Sequence, residues 1–312
     1  MHSQIIAALC ATLAAMSWAG FGSSVFWSAA ILTAAVAVIG VPHGSLDPVV
    51  GKRLFRRFAR LWWMPFLTGY VGLGILVGVG WYVAPELTCL TFFLLAAWHF
   101  GLEEDYDAPT KAFLTKHVFA MARGSMIIVA ISTFRPAETQ MILSQVIPNG
   151  TAQQAETILS VVRAAGLALV PLAISDLIAW FNSTESKRFG VILRLFGFAA
   201  VTATTNPFIS FGVYFCGWHS LRGLKELRAL GGDSERAFLR RLAPITLTTA
   251  LIGLIAFATW YRSEALTPSM IRTVFLGLSA IAIPHLVLHA CYRFAGPCSV
   301  DIQSSGGVAL CK

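Results

Sequence analysis

The chain has 312 residues, 56% of them apolar and 12% charged, with a mean hydropathy of +0.71. That is far more nonpolar surface than one soluble core can bury, so a soluble domain is excluded and the fold class is all-α, a polytopic integral membrane protein. The formal charge of +8 does not point to nucleic acid, because Lys and Arg fill short gaps between apolar runs instead of forming a face.

Apolar stretches of roughly 17–25 residues, the length a helix needs to cross a bilayer, fall near 5–21, 25–41, 61–83, 87–101, 117–134, 161–181, 189–204, 207–222, 243–261 and 270–292. They predict about ten transmembrane helices in one domain over residues 1–292, followed by a C-terminal tail, 293–312. The first stretch lacks the basic n-region of a secretory signal and reads as a helix. Only Gly22-Ser23-Ser24 separates it from the second, and Asn206-Pro207 divides the seventh from the eighth. The stretch 135–160 is polar enough to lie outside the membrane. Six cysteines form no CxxC pair, and four of them lie in apolar runs, which argues against a disulfide framework.

With the N-terminus cytoplasmic, one side of the membrane receives Lys52, Arg53, Arg56, Arg57, Arg60, Lys111, Lys116, Lys187, Arg188, Lys225, Arg228, Arg236, Arg240, Arg241 and Arg293. The other side keeps Arg135, Arg262, Arg163 and Arg272. The positive-inside rule therefore predicts a multi-pass inner-membrane protein with both termini cytoplasmic.

That topology, derived without reference to histidine, puts His43, His99, His219, His285 and His289 at the inner ends of even-numbered spans, at one depth. A lone membrane histidine is more often a helix–helix hydrogen-bonding residue, but four segments with histidine at matched depth favour a metal site, and neutral imidazole suits iron or zinc. Asp47 follows His43, and Glu103 follows His99, by four residues. On a helix each acid can accept the ring N–H that the metal does not use. His117, beside Lys116, reads as interfacial, and His2 as part of an unstructured terminus. His285 and His289 form an HxxxH pair, yet seven histidines with no HH are too few for the membrane di-iron desaturases. Pro42 and Pro284 each remove a helical hydrogen bond just before a histidine.

Aromatic residues crowd these histidines. Phe93, Trp98, Phe100, Phe211, Tyr214, Phe215 and Trp218 are candidates to line a site for a long, flat, apolar polyene, while Trp62 and Trp63 belong to the interfacial belt.

The segments Gly40-Val-Pro-His-Gly-Ser-Leu-Asp47, Trp98-His-Phe-Gly101, Tyr214-Phe-Cys-Gly-Trp-His-Ser-Leu-Arg222 and Ile283-Pro-His285 resemble, in order and spacing, those of the Brp/Blh-type β-carotene 15,15′-dioxygenases of bacteria and archaea. The resemblance spans about residues 36–292. It implies an all-helical membrane enzyme holding non-haem Fe(II) through His43, His99 and His219. It also implies O2-dependent central cleavage of β-carotene to retinal, which an opsin could then receive. The chain departs from the pattern at one place. The family has a second histidine one turn after the first in HSxRH, and here Gly223 stands there, leaving His285 or His289 to complete the ligands.

Three other readings compete. A divalent-cation or proton transporter with a histidine relay needs polar residues at successive depths, and the histidines crowd one leaflet instead. An opsin needs a Schiff-base lysine in a late helix, and no lysine lies between Lys225 and Lys312. A diverged homologue would bind a carotenoid or retinal without cleaving it.

The topology has a direct check. Reporter fusions after Arg57 and after Arg240 should read cytoplasmic, and one near Glu86 external. An external signal from the loop 52–60 would remove the shared-depth argument.

Overall fold

The structure, a computed structural model, describes residues 2–20, 24–104, 113–148, 150–183, 188–231 and 234–294. Lys111, Lys187, Cys298, Cys311 and all of the expected tail except Arg293 and Phe294 lie outside the described residues. The described residues form helices and no strand. In chain order these are α1 (His2–Trp18), α2 (Val25–Leu54), a 3-10 helix (Arg56–Leu61), α3 (Trp63–Val83), α4 (Pro85–Leu102), α5 (Phe113–Phe134) and α6 (Pro136–Val146). There follow α7 (Ala152–Ser183), α8 (Arg188–Thr204), α9 (Pro207–Gly212), a π-helical segment (Val213–Ser220), α10 (Leu221–Gly231), α11 (Glu235–Tyr261) and α12 (Leu266–Phe294).

Among the described residues, seven helices are long and apolar enough to cross a membrane: α2, α3, α4, α5, α7, α11 and α12. The expected ten included α1, α8 and the stretch 207–222. The first two have 17 residues each, a rise of about 25 Å against a hydrocarbon core of about 30 Å. The third is split into α9 and the π segment, and Asn206 marks a true helix start. Its side chain accepts from the amides of Phe208 and Ile209, and Pro207 takes the first helical position, where no N–H is needed. The stretch 135–160 contains α6, which buries Ile142, Leu143 and Val146. Arg272 Nε of α12 donates to the Gln145 carbonyl near its end, at 2.9 Å.

Two helices depart from α-geometry just before a histidine. In α2, Val36–Gly40 winds as a π-turn, with the Val41 N–H reaching back to Val36, and Pro42-His43 follow at once. In the second case His219 sits near the end of the π segment. Such wide turns advance the chain by one residue without unwinding it and re-aim the side chains that follow. Pro284, by contrast, lies inside a helix that continues to Phe294.

The tightest crossing in the bundle is next to His99. A Cβ on Gly101 of α4 would stand 1.6 Å from the Ala120 carbonyl oxygen of α5, and one on Gly124 would stand 1.8 Å from the Ala97 carbonyl oxygen. Only hydrogen at those positions lets the two backbones meet. Arg123 locks the crossing: it pairs with Asp176 of α7, both fully buried, and Nη2 donates to the Gly101 carbonyl at 3.1 Å. Across the bundle Trp81 Nε1 of α3 donates to Ser279 Oγ of α12 at 2.8 Å.

Gly124→Val should therefore overpack the α4–α5 contact by about 1–3 kcal/mol or more and lower the detergent melting midpoint by several degrees. Gly78→Ala, where an added Cβ meets nothing within 4 Å, should leave it unchanged. Equal melting of both variants would show that the crossing is looser than described.

Candidate metal centre

Four helical segments bring four imidazoles together. The His43 ring lies edge-on to His219, with centroids 5.0 Å apart, and to His285 at 5.4 Å. His99 in turn lies edge-on to His219 at 5.1 Å and to His285 at 5.4 Å. These four contacts close a ring, His43 to His219 to His99 to His285 and back. All four side chains are buried.

Their nitrogens are left without protein partners. Both nitrogens of His43, Nε2 of His99 and Nε2 of His285 are buried with no hydrogen bond among the described residues. Each unsatisfied buried nitrogen costs about 1–3 kcal/mol, so three rings that each bring one at a single place call for a common partner. No hydrogen bond joins these nitrogens to one another. A cation of borderline softness can be that partner, and the donor set fits such a cation.

The two carboxylates expected to support these rings have different positions. Glu103 lies one residue past α4, with Oε1 3.6 Å from His99 Nε2 and Oε2 3.7 Å from His219 Nδ1, while Arg293 Nη2 approaches Oε1 at 3.4 Å. Asp47 was expected to pair with His43, and it does not. The turn at Ser45-Leu46 ends one helical segment after Gly44 and Asp47 opens the next, so the spacing of four is not a helical spacing there. Asp47 instead accepts from His285 Nδ1 at 2.7 Å, from His289 Nε2 at 3.3 Å and from the Tyr70 hydroxyl at 2.8 Å. The donor atoms thus fall into two compact groups: His43, His99, Glu103 and His219 in one, and Asp47, His285 and His289 in the other.

The remaining histidines stand apart. His117 Nδ1 accepts from Trp98 Nε1 at 3.0 Å. His2, expected in an unstructured terminus, belongs to α1, stacks on Trp218 with centroids 5.1 Å apart and pairs through Nδ1 with Lys225 Nζ at 3.1 Å.

A cavity of about 60 Å³ adjoins the four histidines, and Phe100, Phe211 and Phe215 are among the residues that line it. It shares Phe92, Ala96, Phe100 and Phe211 with a second cavity of about 90 Å³, which Phe93 also lines. That second cavity shares Phe93, Ile128 and Val162 with a groove of about 320 Å³ bounded by the exposed side chains of Leu87 and Leu94. Trp98, Tyr214 and Trp218 line neither cavity. Trp98 stacks on Phe294, Tyr214 donates to Glu104 at 3.2 Å, and the Arg194 guanidinium covers Trp218 at 3.7 Å while pairing with Glu104 at 3.0 Å. Phe92 and Ala96, not among the lining residues expected from the sequence, line both inner cavities. Their signal was helical: Phe92, Ala96 and His99 recur at offsets of four and three and so share one face.

The family model described as beta-carotene 15,15′-dioxygenase matches residues 34–292 of this chain. A protein named beta-carotene 15,15′-dioxygenase, from the uncultured marine bacterium 66A03, is 25% identical over 262 residues, covering 82% of this chain and 90% of that protein. No solved structure matches the chain.

Purified protein should contain about one metal ion per chain, and alanine at His43, His99 or His219 should each remove most of it, because so small a ligand set cannot compensate a loss. Elemental analysis decides. Full retention in all three variants would defeat the site.

Proposed function

The chain belongs to the beta-carotene 15,15′-dioxygenase family, and from that premise we propose that it cleaves the central double bond of β-carotene, or of a related carotenoid, with O2 at Fe(II) held by histidine. One alkene and one O2 give two aldehydes, here two molecules of retinal. The observation that carries this reading is the set of buried imidazole nitrogens without partners at the end of an apolar cavity. Iron(II) held by neutral imidazoles supplies the binding and reduction of dioxygen.

The side chains do the rest. His43, His99 and His219 hold the iron. Glu103, facing two of these rings, contributes negative charge beside a dication. Phe100, Phe211 and Phe215 hold a flat conjugated chain against the histidines, with the Phe211 and Phe215 rings stacked only 4° from parallel. The cavities supply almost no polar surface, so water is excluded from the reacting double bond. A C40 polyene is larger than the two inner cavities, and seating one of its arms requires Phe93, Ile128 and Val162 to turn aside. Substrate then enters from the bilayer, and retinal leaves into it, where an opsin can take it up. The basic loops support the cytoplasmic side of the inner membrane for this site.

Two observations weigh against the rivals. A proton or cation relay needs a next polar station, and the spaces leading away from the histidines are bounded mainly by aromatic and aliphatic side chains. A binder that had lost cleavage would have no need to keep four imidazoles edge to edge.

In cells producing β-carotene, expression should bleach the pigment and yield retinal. Ala96→Trp, which fills the junction between the two inner cavities, should lower retinal formation at least ~10-fold while the iron content stays unchanged, a split expected when binding space and not metal is lost. An unbleached culture with iron-loaded wild-type protein would rule out cleavage and leave the carotenoid binder.

A further inference from the structure

We infer that His285, not His289, is the fourth nitrogen ligand of the metal, and that Gly223 is the space into which His43 is packed, not a vacated ligand position. This deepens the reading of the site as a metal centre and rests on it.

The tautomer of His285 follows from its partner. Asp47, as a carboxylate, can only accept, so His285 Nδ1 carries the hydrogen across the 2.7 Å contact and Nε2 keeps its lone pair. That Nε2 is buried, has no partner, and belongs to the ring that closes the set with His43 and His99. The second oxygen of Asp47 is fixed as well. Tyr70 donates to Oδ2 at 2.8 Å, with the Ile281 carbonyl also in reach at 3.2 Å. A carboxylate held at both oxygens and accepting from an imidazole whose other nitrogen is free is the arrangement that orients metal-bound histidines.

His289 differs on each count. Its Nε2 is directed to the same Asp47 oxygen at 3.3 Å, its side chain is 24% exposed, and its ring is 6.3 Å from that of His99. It is a second donor that helps hold Asp47.

Gly223 explains how the set closes without a histidine in α10. A Cβ at 223 would stand 2.2 Å from His43 Cε1 and 2.5 Å from His43 Nδ1. Any side chain there must push the imidazole away. Adding a histidine at 223 would thus displace one ligand in the act of supplying another, whereas His285 reaches the site from α12 without touching that space.

Cobalt(II) is a suitable probe, because its visible d–d bands report the ligand set independently of turnover. Detergent-purified full-length protein titrated anaerobically with Co(II) should develop these bands. His285→Gly should lose them and regain them on adding imidazole, which a misfolded protein cannot do. His289→Ala should keep the band shape with affinity within about tenfold of wild type, as for loss of an outer partner. Gly223→His should bind cobalt at least ~10-fold more weakly. The assignment is overturned if His285→Gly keeps its bands or loses them beyond rescue, if His289→Ala is the variant that loses them, or if Gly223→His binds more tightly. Wild-type protein that takes up no cobalt or iron would overturn the metal reading itself, and this assignment with it.

Discussion

Imidazole nitrogens buried in an apolar bundle must find partners, and the rest of this structure is arranged around that requirement. Each of the four rings comes from a different helical segment, so none can be positioned by local sequence alone. His99 is fixed by the contact of Gly101 with Gly124 and by the Arg123–Asp176 pair beneath it. His219 follows Trp218, which is covered by His2 and by Arg194, itself paired with Glu104. His285 is oriented by Asp47 and Tyr70. Polar contacts inside hydrocarbon are costly to leave incomplete. Here they are spent on holding helix ends, not on crossing the membrane.

The spans, their order and the common depth of the histidines were legible because they depend on hydropathy, charge and chain direction, all of which are linear properties of the sequence. The roles of Asp47, Trp98, Tyr214 and Trp218 were not, because they depend on which way a side chain faces. Asp47 lost its expected relation to His43 through a single turn at Ser45-Leu46. The π segment Val213–Ser220 has no proline to announce it. Phe211, Phe215 and His219, spaced by four, line the cavity, and Tyr214 and Trp218 fall on another face of the same segment. Of the ten expected spans, seven have the length and hydropathy of a crossing helix among the described residues. Hydropathy registers α1 and α8 as apolar, but whether 17 residues suffice depends on how they pack, and α1 lies against α8 with Gly197 closest to Ala7 and Cys10.

The two carboxylates show how spacing can mislead about chemistry. Both acids follow a histidine by four residues, yet one makes a hydrogen bond of 2.7 Å to a ring from another helix and the other stands 3.6–3.7 Å from two rings without bonding either. The first distance fixes a tautomer, while the second leaves a charge facing the space that the nitrogens share. With Arg293 near Glu103, two carboxylates and one guanidinium surround the neutral imidazoles. The surplus negative charge favours a divalent cation over an anion or a neutral ligand.

Helix α4 shows how one sequence carries several of these tasks without conflict. Phe92, Ala96 and His99 lie on one face, which adjoins both inner cavities and ends at the histidine ring. Ala97 and Gly101, four residues apart on a second face, form the close contact with α5. Leu87 and Leu94 are exposed on a third, at the mouth of the outer groove, and Phe93 stands between that groove and the interior. Because the helix is rigid over its 18 residues, the depth of the cavity below His99 is set by the same backbone contact that fixes His99. A change that loosened the Gly101–Gly124 crossing would therefore displace His99 and the lining of both inner cavities together, which ties the shape of that space to the packing of two small residues.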